Sequence, residues 1–188
     1  MLSLKDRADA YSKEFPKYPP LSSTDRWLYG IWVIGNTYKR LHGYYGEYPP
    51  SYLRRVKSLF PDCDNILQLF GDVVHEDITL DINPELSPTV VGTAHSMPFA
   101  DNKFDLIIAD PPYSKEHAAK YNYPMINRRK TFKECYRVLK PGGFLVWLDW
   151  LLPMYRKDEW LMVGTIGIVA GTNRKIRGTT IYQKQGSD

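Results

Sequence analysis

Residues 104–113 read Phe104-Asp105-Leu106-Ile107-Ile108-Ala109-Asp110-Pro111-Pro112-Tyr113, an apolar run that ends in an acid, two prolines and an aromatic ring. A short apolar run bounded by turn formers suits a strand buried on both faces, as in a parallel sheet. Ligands in open α/β sheets bind outside the carboxyl ends of such strands, so the acid, the prolines and the ring fall where a site forms. An Asp followed by prolines is also an ordinary way to stop a strand and turn, and on the tetrapeptide alone both readings stand.

Working outward, short apolar segments at 65–70, 78–81 and 89–93 read as further strands with polar breaks between them. A helix is predicted over 131–140, with apolar residues at 132, 135, 136 and 139 on one face and Pro141-Gly142-Gly143 ending it. Residues 144–148 form another apolar run, and 160–169 with 176–183 read as a terminal hairpin around Gly171-Thr172-Asn173-Arg174-Lys175. The first sixty residues hold eight of the fourteen tyrosines and two Tyr-Pro-Pro steps, at 18–20 and 48–50, which read as turns. A helix is expected over 50–60, with Leu53, Val56 and Phe60 on one face. The pattern predicts one α/β domain over 1–188, Rossmann-like, with a mostly parallel sheet and an antiparallel C-terminal hairpin. Residues 1–60, an aromatic N-terminal segment, would pack on or cap the ligand site of the α/β core formed by 61–188.

A chain of 188 residues with 43% hydrophobic content can bury one core. No run approaches a membrane span, and Met1-Leu2-Ser3-Leu4-Lys5-Asp6 lacks the basic-then-apolar order of a signal peptide. A cytoplasmic, reducing setting is the expectation. Cys63 and Cys135 have no CxxC partner, and His42, His75, His95 and His117 show no ligand spacing, so no metal site is expected. Charge is uneven: residues 1–60 hold ten Lys/Arg against five Asp/Glu, 61–110 one against ten, and 111–188 fourteen against six. Acids around the central strand tips suit a site that holds a cationic ligand or grips amino groups, and basic flanks suit a polyanion; ordinary solvated surface is the alternative.

The tetrapeptide has a chemical use. An exocyclic amino group on a base is a poor nucleophile because its lone pair is delocalised into the ring. Two acceptors that grip both its hydrogens relocalise that pair, and Asp110 with the Pro111 carbonyl can form them. Proline fixes φ, and the Pro111-Pro112 step stiffens the backbone, while Tyr113 offers a face on which a flipped base can stack.

With these residues on the page, the run from about 65 to 148 resembles the class I S-adenosylmethionine-dependent methyltransferases. Asp110-Pro111-Pro112-Tyr113 is similar to the catalytic tetrapeptide of those that methylate adenine N6 or cytosine N4 of DNA, in compact members without a recognition domain. Leu139-Lys140-Pro141-Gly142-Gly143 looks like the turn these enzymes carry before their fifth strand. The resemblance implies S-adenosylmethionine as cofactor and DNA as the expected partner, with adenine N6 the first acceptor. It places Leu69, Phe70 and Gly71 at the first cofactor motif, Asp81 and Ile82 at the strand-end acid that accepts from ribose hydroxyls, and Thr93, Ala94 and His95 at the third motif. Tyr45 and Tyr48, in the aromatic stretch 43–50, would add cofactor contacts through cation–π attraction to the sulfonium; a tyrosine-rich packing layer over the sheet is the alternative.

This sequence departs from the family in three places. Only Gly71 remains of the usual glycines, residues 72–77 are too few for the first crossover helix, and Thr93 stands where relatives carry an acid. Met97, Pro98 and Phe99 either wall an adenine pocket or pack in the core. For backbone phosphates the densest basic groups are Arg128, Arg129 and Lys130, then Arg174, Lys175 and Arg177; solvated surface is their alternative. Relatives that methylate protein glutamine carry Asn at the place of Asp110, so Asp favours a nucleobase. RNA or a small molecule as acceptor, or a non-catalytic nucleic-acid-binding or partner subunit with a decayed cofactor loop, are the other readings. Trp27, Trp32, Trp147, Trp150 and Trp160 serve either a homodimer surface or the core.

Overall fold

The computed structural model describes residues 1–34, 48–49, 51–71, 76–120, 123–170 and 176–186. Its centre is the pair β3 (Ile66–Leu69) and β6 (Phe104–Ala109), which run parallel with Leu67 opposite Ile107. All four residues of β3 are buried, as are all of β6 except Asp105, which is what a strand covered on both faces requires. β4 (Ile78–Asp81) joins β3 in parallel and β5 (Val90–Val91) joins β4; on the other side β7 (Leu139–Asp149) is parallel to β6. β9 (Ile176–Lys184) returns antiparallel between β7 and β8 (Trp160–Ala170), so the expected hairpin is present.

Two strands in the first third were not anticipated. β2 (Leu28–Ile34) pairs in parallel with β8, and β1 (Ser22–Ser23) closes the edge, giving nine strands in the order β1-β2-β8-β9-β7-β6-β3-β4-β5. A first helix, α1 (Leu4–Glu14), was also missed, although Ser3 and Asp6 form a capping box: Asp6 N–H donates to Ser3 Oγ at 3.2 Å and Ser3 N–H to Asp6 Oδ2 at 3.0 Å. Its inner face hides the usual signal because a charged residue, Arg7, is buried there beside Ala8 and Tyr11. Arg7 is held by Asp62 at 2.7 and 3.0 Å and lies over the rings of Phe60 and Phe144. α2 (Tyr52–Leu59) matches the predicted helix, with Tyr52, Arg55, Val56 and Leu59 inward and Leu53 only half-buried.

The alternation of β6 sorts the core into two layers. Leu106 and Ile108 face α1 and α2 with Tyr11, Trp32, Tyr52 and Val56; Ile107 and Ala109 face α4 (Arg128–Val138) with Phe132, Trp147 and Trp160. Trp32, Trp147 and Trp160 are thus core residues, whereas Trp150 is 39% exposed and Trp27 half-buried. Of the described tyrosines in the first sixty residues, Tyr11, Tyr48 and Tyr52 form a buried aromatic layer, with Tyr11 stacked on Trp32 and Tyr48 on Tyr52, whereas Tyr18 and Tyr29 are exposed.

The helix expected over 131–140 is corrected at both ends. Asn127 caps α4 by accepting from Lys130 N–H at 3.1 Å, so the basic run 128–130 is its first turn. At the far end the chain enters β7 directly at Leu139, and Pro141-Gly142-Gly143 lies inside the strand rather than in a turn. A residue before proline is pushed to extended backbone, which ends the helix early. The three residues form a bulge, since Leu139 pairs with Phe104 and the next β7 partner, Phe144, pairs with Leu106. Gly142 has φ +77°, and a Cβ at Gly143 would lie 2.9 Å from the Lys140 carbonyl oxygen and 3.0 Å from that of Asp105, so both positions require glycine.

Candidate active site

Chain order steps outward from β3 to β4 and β5, then returns to β6 on the other side of β3. That reversal makes the β3/β6 boundary a topological switch point, where the carboxyl edge of a sheet opens into a crevice. Gly71 follows β3, Asp81 closes β4 and Asp110 follows β6, so residues from three sequence motifs arrive at one edge.

On the β3 side, Phe70 adopts φ +62°, a left-handed conformation uncommon for a bulky residue and costing about 1–2 kcal/mol. Backbone strain of this kind collects at functional sites. The Phe70 ring packs edge-on to Trp147, and Leu69 and Gly71 on either side of it are buried. Tyr48 covers the glycine. Its hydroxyl is shared between the carbonyl oxygens of Leu69 at 3.3 Å and Ile108 at 3.4 Å, bridging the two strands, and a Cβ at position 71 would lie 2.5 Å from its ring. Tyr45, its expected companion, lies outside the described residues, as do Arg174 and Lys175. The connection from β3 to β4 spans residues 70–77, of which 72–75 are outside the described set.

Asp81 is half-buried, and burial raises its pKa above the ordinary carboxylate value against the opposing hydrogen bonds from Asn83 and Ile82. Its Oδ1 accepts from Asn83 N–H at 2.7 Å. An ionised carboxylate has about four lone-pair sites, so capacity remains for hydroxyl donors. Ile82 beside it is 44% exposed and offers an apolar surface. In the third motif, Thr93 Oγ1 accepts from His95 N–H at 3.2 Å, Ala94 is buried, and His95 Nε2 accepts from Asn127 N–H at 2.8 Å, which ties the ring to the start of α4. The Met97-Pro98-Phe99 wall belongs mainly to the core: Met97 is buried and Phe99 packs edge-on to Phe104. Arg137 of α4 clamps this loop through the carbonyl oxygens of Met97 at 2.9 Å and Phe99 at 2.7 Å.

The β6 side is the most organised part. Tyr113 Oη donates to Asp110 Oδ1, and Arg177 Nη1 at the start of β9 donates to Tyr113 Oη at 3.2 Å. Burial pushes the Asp110 carboxyl up to about 7, with Tyr113 and Arg177 pulling it down and Asp149 adding a smaller upward push. Burial, together with the Asp110 charge, likewise drives the Tyr113 phenol well above its ordinary value. Behind the tetrapeptide, Arg128 Nη2 donates to the Tyr113 carbonyl oxygen at 3.2 Å and Arg128 Nε to Asp149 Oδ2 at 2.8 Å. His117, on the short helix α3 (Lys115–Lys120), and Trp150 pack around the Tyr113 ring with centroids 5.7 and 5.0 Å away.

Two residues expected on phosphates, Arg128 and Arg177, are therefore placed against the tetrapeptide, while Arg129 and Lys130 are exposed. Asp149 went unnoticed in the sequence, while Trp150 was read only as a dimer-surface or core residue and His117 only as a histidine without ligand spacing. Asp149 carried a usable signal, since it closes an apolar strand as Asp81 and Asp110 do. Among the described residues no group of His, Cys, Asp or Glu is placed to hold a metal, and no helix is long and apolar enough to cross a membrane.

The chain is 38% identical over 71 residues to the uncharacterized protein YafE of Escherichia coli (strain K12), a match that spans 30% of that relative's length and 37% of this chain. Among solved structures it is similar to the N-methyltransferase NodS of Bradyrhizobium japonicum WM9, with 12% identity, 66% of this chain and 87% of that one covered, and a TM-score of 0.47. It is also similar to a SAM-dependent methyltransferase of Aquifex aeolicus, with 15% identity, coverage of 73% and 94%, and a TM-score of 0.45. Residues 68–147, from β3 through most of β7, match the family model described as a methyltransferase domain, and the cofactor that this match implies is S-adenosylmethionine.

Proposed function

We propose that this chain transfers a methyl group from S-adenosylmethionine to an exocyclic amino group of a nucleobase, with adenine N6 in DNA the first acceptor to test. One observation carries the proposal: at the switch point an acid after a strand end, a proline-stiffened carbonyl and an aromatic ring stand together, at the same sheet edge as the Tyr48-covered glycine after β3. When bound, the cofactor supplies an activated methyl group. Gly71, Asp81, Ile82 and Tyr48 are the residues that would hold it: Asp81 for hydroxyl groups, Ile82 for an apolar ring, and Gly71 with Tyr48 for close approach beside β3.

The other side prepares the acceptor. Asp110 and the Pro111 carbonyl take the two amino hydrogens, and relocalise the nitrogen lone pair. Tyr113, steadied by Arg128 and Arg177, presents its ring to the base, with Trp150 and His117 beside it to help exclude water. Most of the acceleration would come from this orientation rather than from acid–base chemistry. Asp110 must be ionised to accept, so turnover should rise with pH through about 7.

The direct test is Asp110→Ala. Methyl transfer should fall by about two orders of magnitude or more, on the scale of other preorganised catalytic contacts, while cofactor affinity by calorimetry stays within about threefold of the parent. Near-parental turnover in a folded variant would refute the assignment.

A further inference from the structure

We propose that Arg177 is a positioning residue that acts through the Tyr113 phenol to keep the Asp110 side chain in the form that accepts hydrogen bonds. The inference rests on the proposed function and deepens it, because a carboxyl that carries its own proton cannot grip an amino group.

The geometry is a linear relay. Arg177 Nη1 donates to Tyr113 Oη at 3.2 Å, and Tyr113 Oη donates to Asp110 Oδ1. A phenol whose oxygen accepts from a cation gives up its own hydrogen more readily, so the guanidinium strengthens the contact that reaches the acid. The Arg177–Tyr113 contact spans 64 residues of sequence and joins the terminal hairpin to the segment after β6. Arg177 is half-buried, so its charge acts in a medium that screens less than water.

Among the described residues, the other charged and titratable groups near the relay fit this assignment. From β7, Asp149 opposes ionisation of Asp110, but Arg128 of α4 pairs with it at 2.8 Å and Trp147 Nε1 donates to it at 3.2 Å. From α2, Tyr52 faces both Asp110 and Arg177, and burial raises its phenol pKa, so it stays neutral, with Thr179 at 3.1 Å. From α3, His117 packs on Tyr113. Arg177 is thus the cation among these groups that bears on Asp110 without a carboxylate of its own in contact. The carboxyl is otherwise dominated by burial, which favours the protonated form.

The experiment reads the acid directly. Protein labelled with carbon-13 at aspartate carboxyls is titrated by NMR, with Asp110→Asn used to assign the signal. Arg177→Gln should move the Asp110 midpoint upward by about one unit or more, Tyr113→Phe should move it in the same direction, and Arg177→Lys should stay within about half a unit of the parent. In methyl-transfer assays Arg177→Gln should lose about tenfold at pH 7 and recover most of it at pH 9, because the acid limb shifts, with the change in kcat rather than KM. A midpoint shift below half a unit in both Arg177→Gln and Tyr113→Phe, or equal loss at all pH values without rescue by lysine, overturns the inference. If the parent methylates no acceptor, the proposed function fails, and the titration still decides the role of Arg177.

Discussion

Replacing Asp149 by Ala should cost about 3 kcal/mol of folding stability, and the reason lies directly behind the tetrapeptide. The Asp149 side chain is 1% exposed and that of Arg128 is 22% exposed. Asp149 Oδ2 accepts from Arg128 Nε at 2.8 Å, with Arg128 Nη2 also 2.8 Å away, and from Trp147 Nε1 at 3.2 Å, while Oδ1 accepts from the backbone N–H groups of Trp150 at 2.7 Å and Leu151 at 3.3 Å. Removing one partner of a buried ion pair costs about 3–5 kcal/mol because the other charge is left without compensation. The partial exposure of Arg128 lets water take up some of that loss and places the expectation at the lower end. For a chain of this length the midpoint of thermal unfolding should fall by about 6–12 °C. Urea unfolding of Asp149→Ala, Arg128→Met and the double variant should show the double losing less than the two singles combined, by about 1 kcal/mol or more. A single-variant loss below about 1 kcal/mol, or simple additivity, would refute the claim that this pair supports the site.

Two further outcomes follow from the strand-end acids. Asp81→Ala should weaken S-adenosylmethionine binding by about tenfold to a hundredfold in calorimetry, the value of one or two hydrogen bonds to a charged group, with the circular dichroism spectrum unchanged; unaltered affinity would remove Asp81 from the cofactor site. Asp110 should destabilise the fold at high pH: its folded pKa is raised to about 7, the unfolded chain releases the proton at lower pH, and so stability drops as pH rises between the two values and is level above them. Asp110→Asn should therefore be more stable than the parent at pH 8, by an amount on the order of a few kcal/mol, with the advantage largely gone at pH 4; equal stability at both pH values would contradict the burial of an ionised acid.

What the sequence revealed was whatever is local. β6 and its tetrapeptide are contiguous, so the apolar run, the acid and the prolines were legible without tertiary information, as were the C-terminal hairpin and the helix α2. The run Leu28 to Ile34 was equally strand-like, but its partner, β8, lies more than a hundred residues away, and the tyrosine-rich composition around it drew attention to packing instead. α1 stayed hidden because Arg7 on its inner face is buried among aromatic rings, inverting the usual rule that charge marks the outer face. The same limit explains Arg128 and Arg177. As residue types they suggested phosphates, and only contacts across 15 and 64 residues show them gripping Tyr113. Tyr48 was identified through the family resemblance and the aromatic stretch around it, and its bridge between β3 and β6 was not deducible because it depends on the two strands being neighbours.

The most direct measurement is methyl transfer itself. The protein is incubated with S-adenosylmethionine labelled in its methyl group and, separately, with duplex DNA, single-stranded DNA, RNA and free nucleosides, and the modified base is identified by mass after digestion. Label on an exocyclic amino nitrogen, adenine N6 in DNA foremost, and its loss in Asp110→Ala, is the predicted result. Label on a carbon or oxygen atom, or transfer that survives Asp110→Ala, would contradict it.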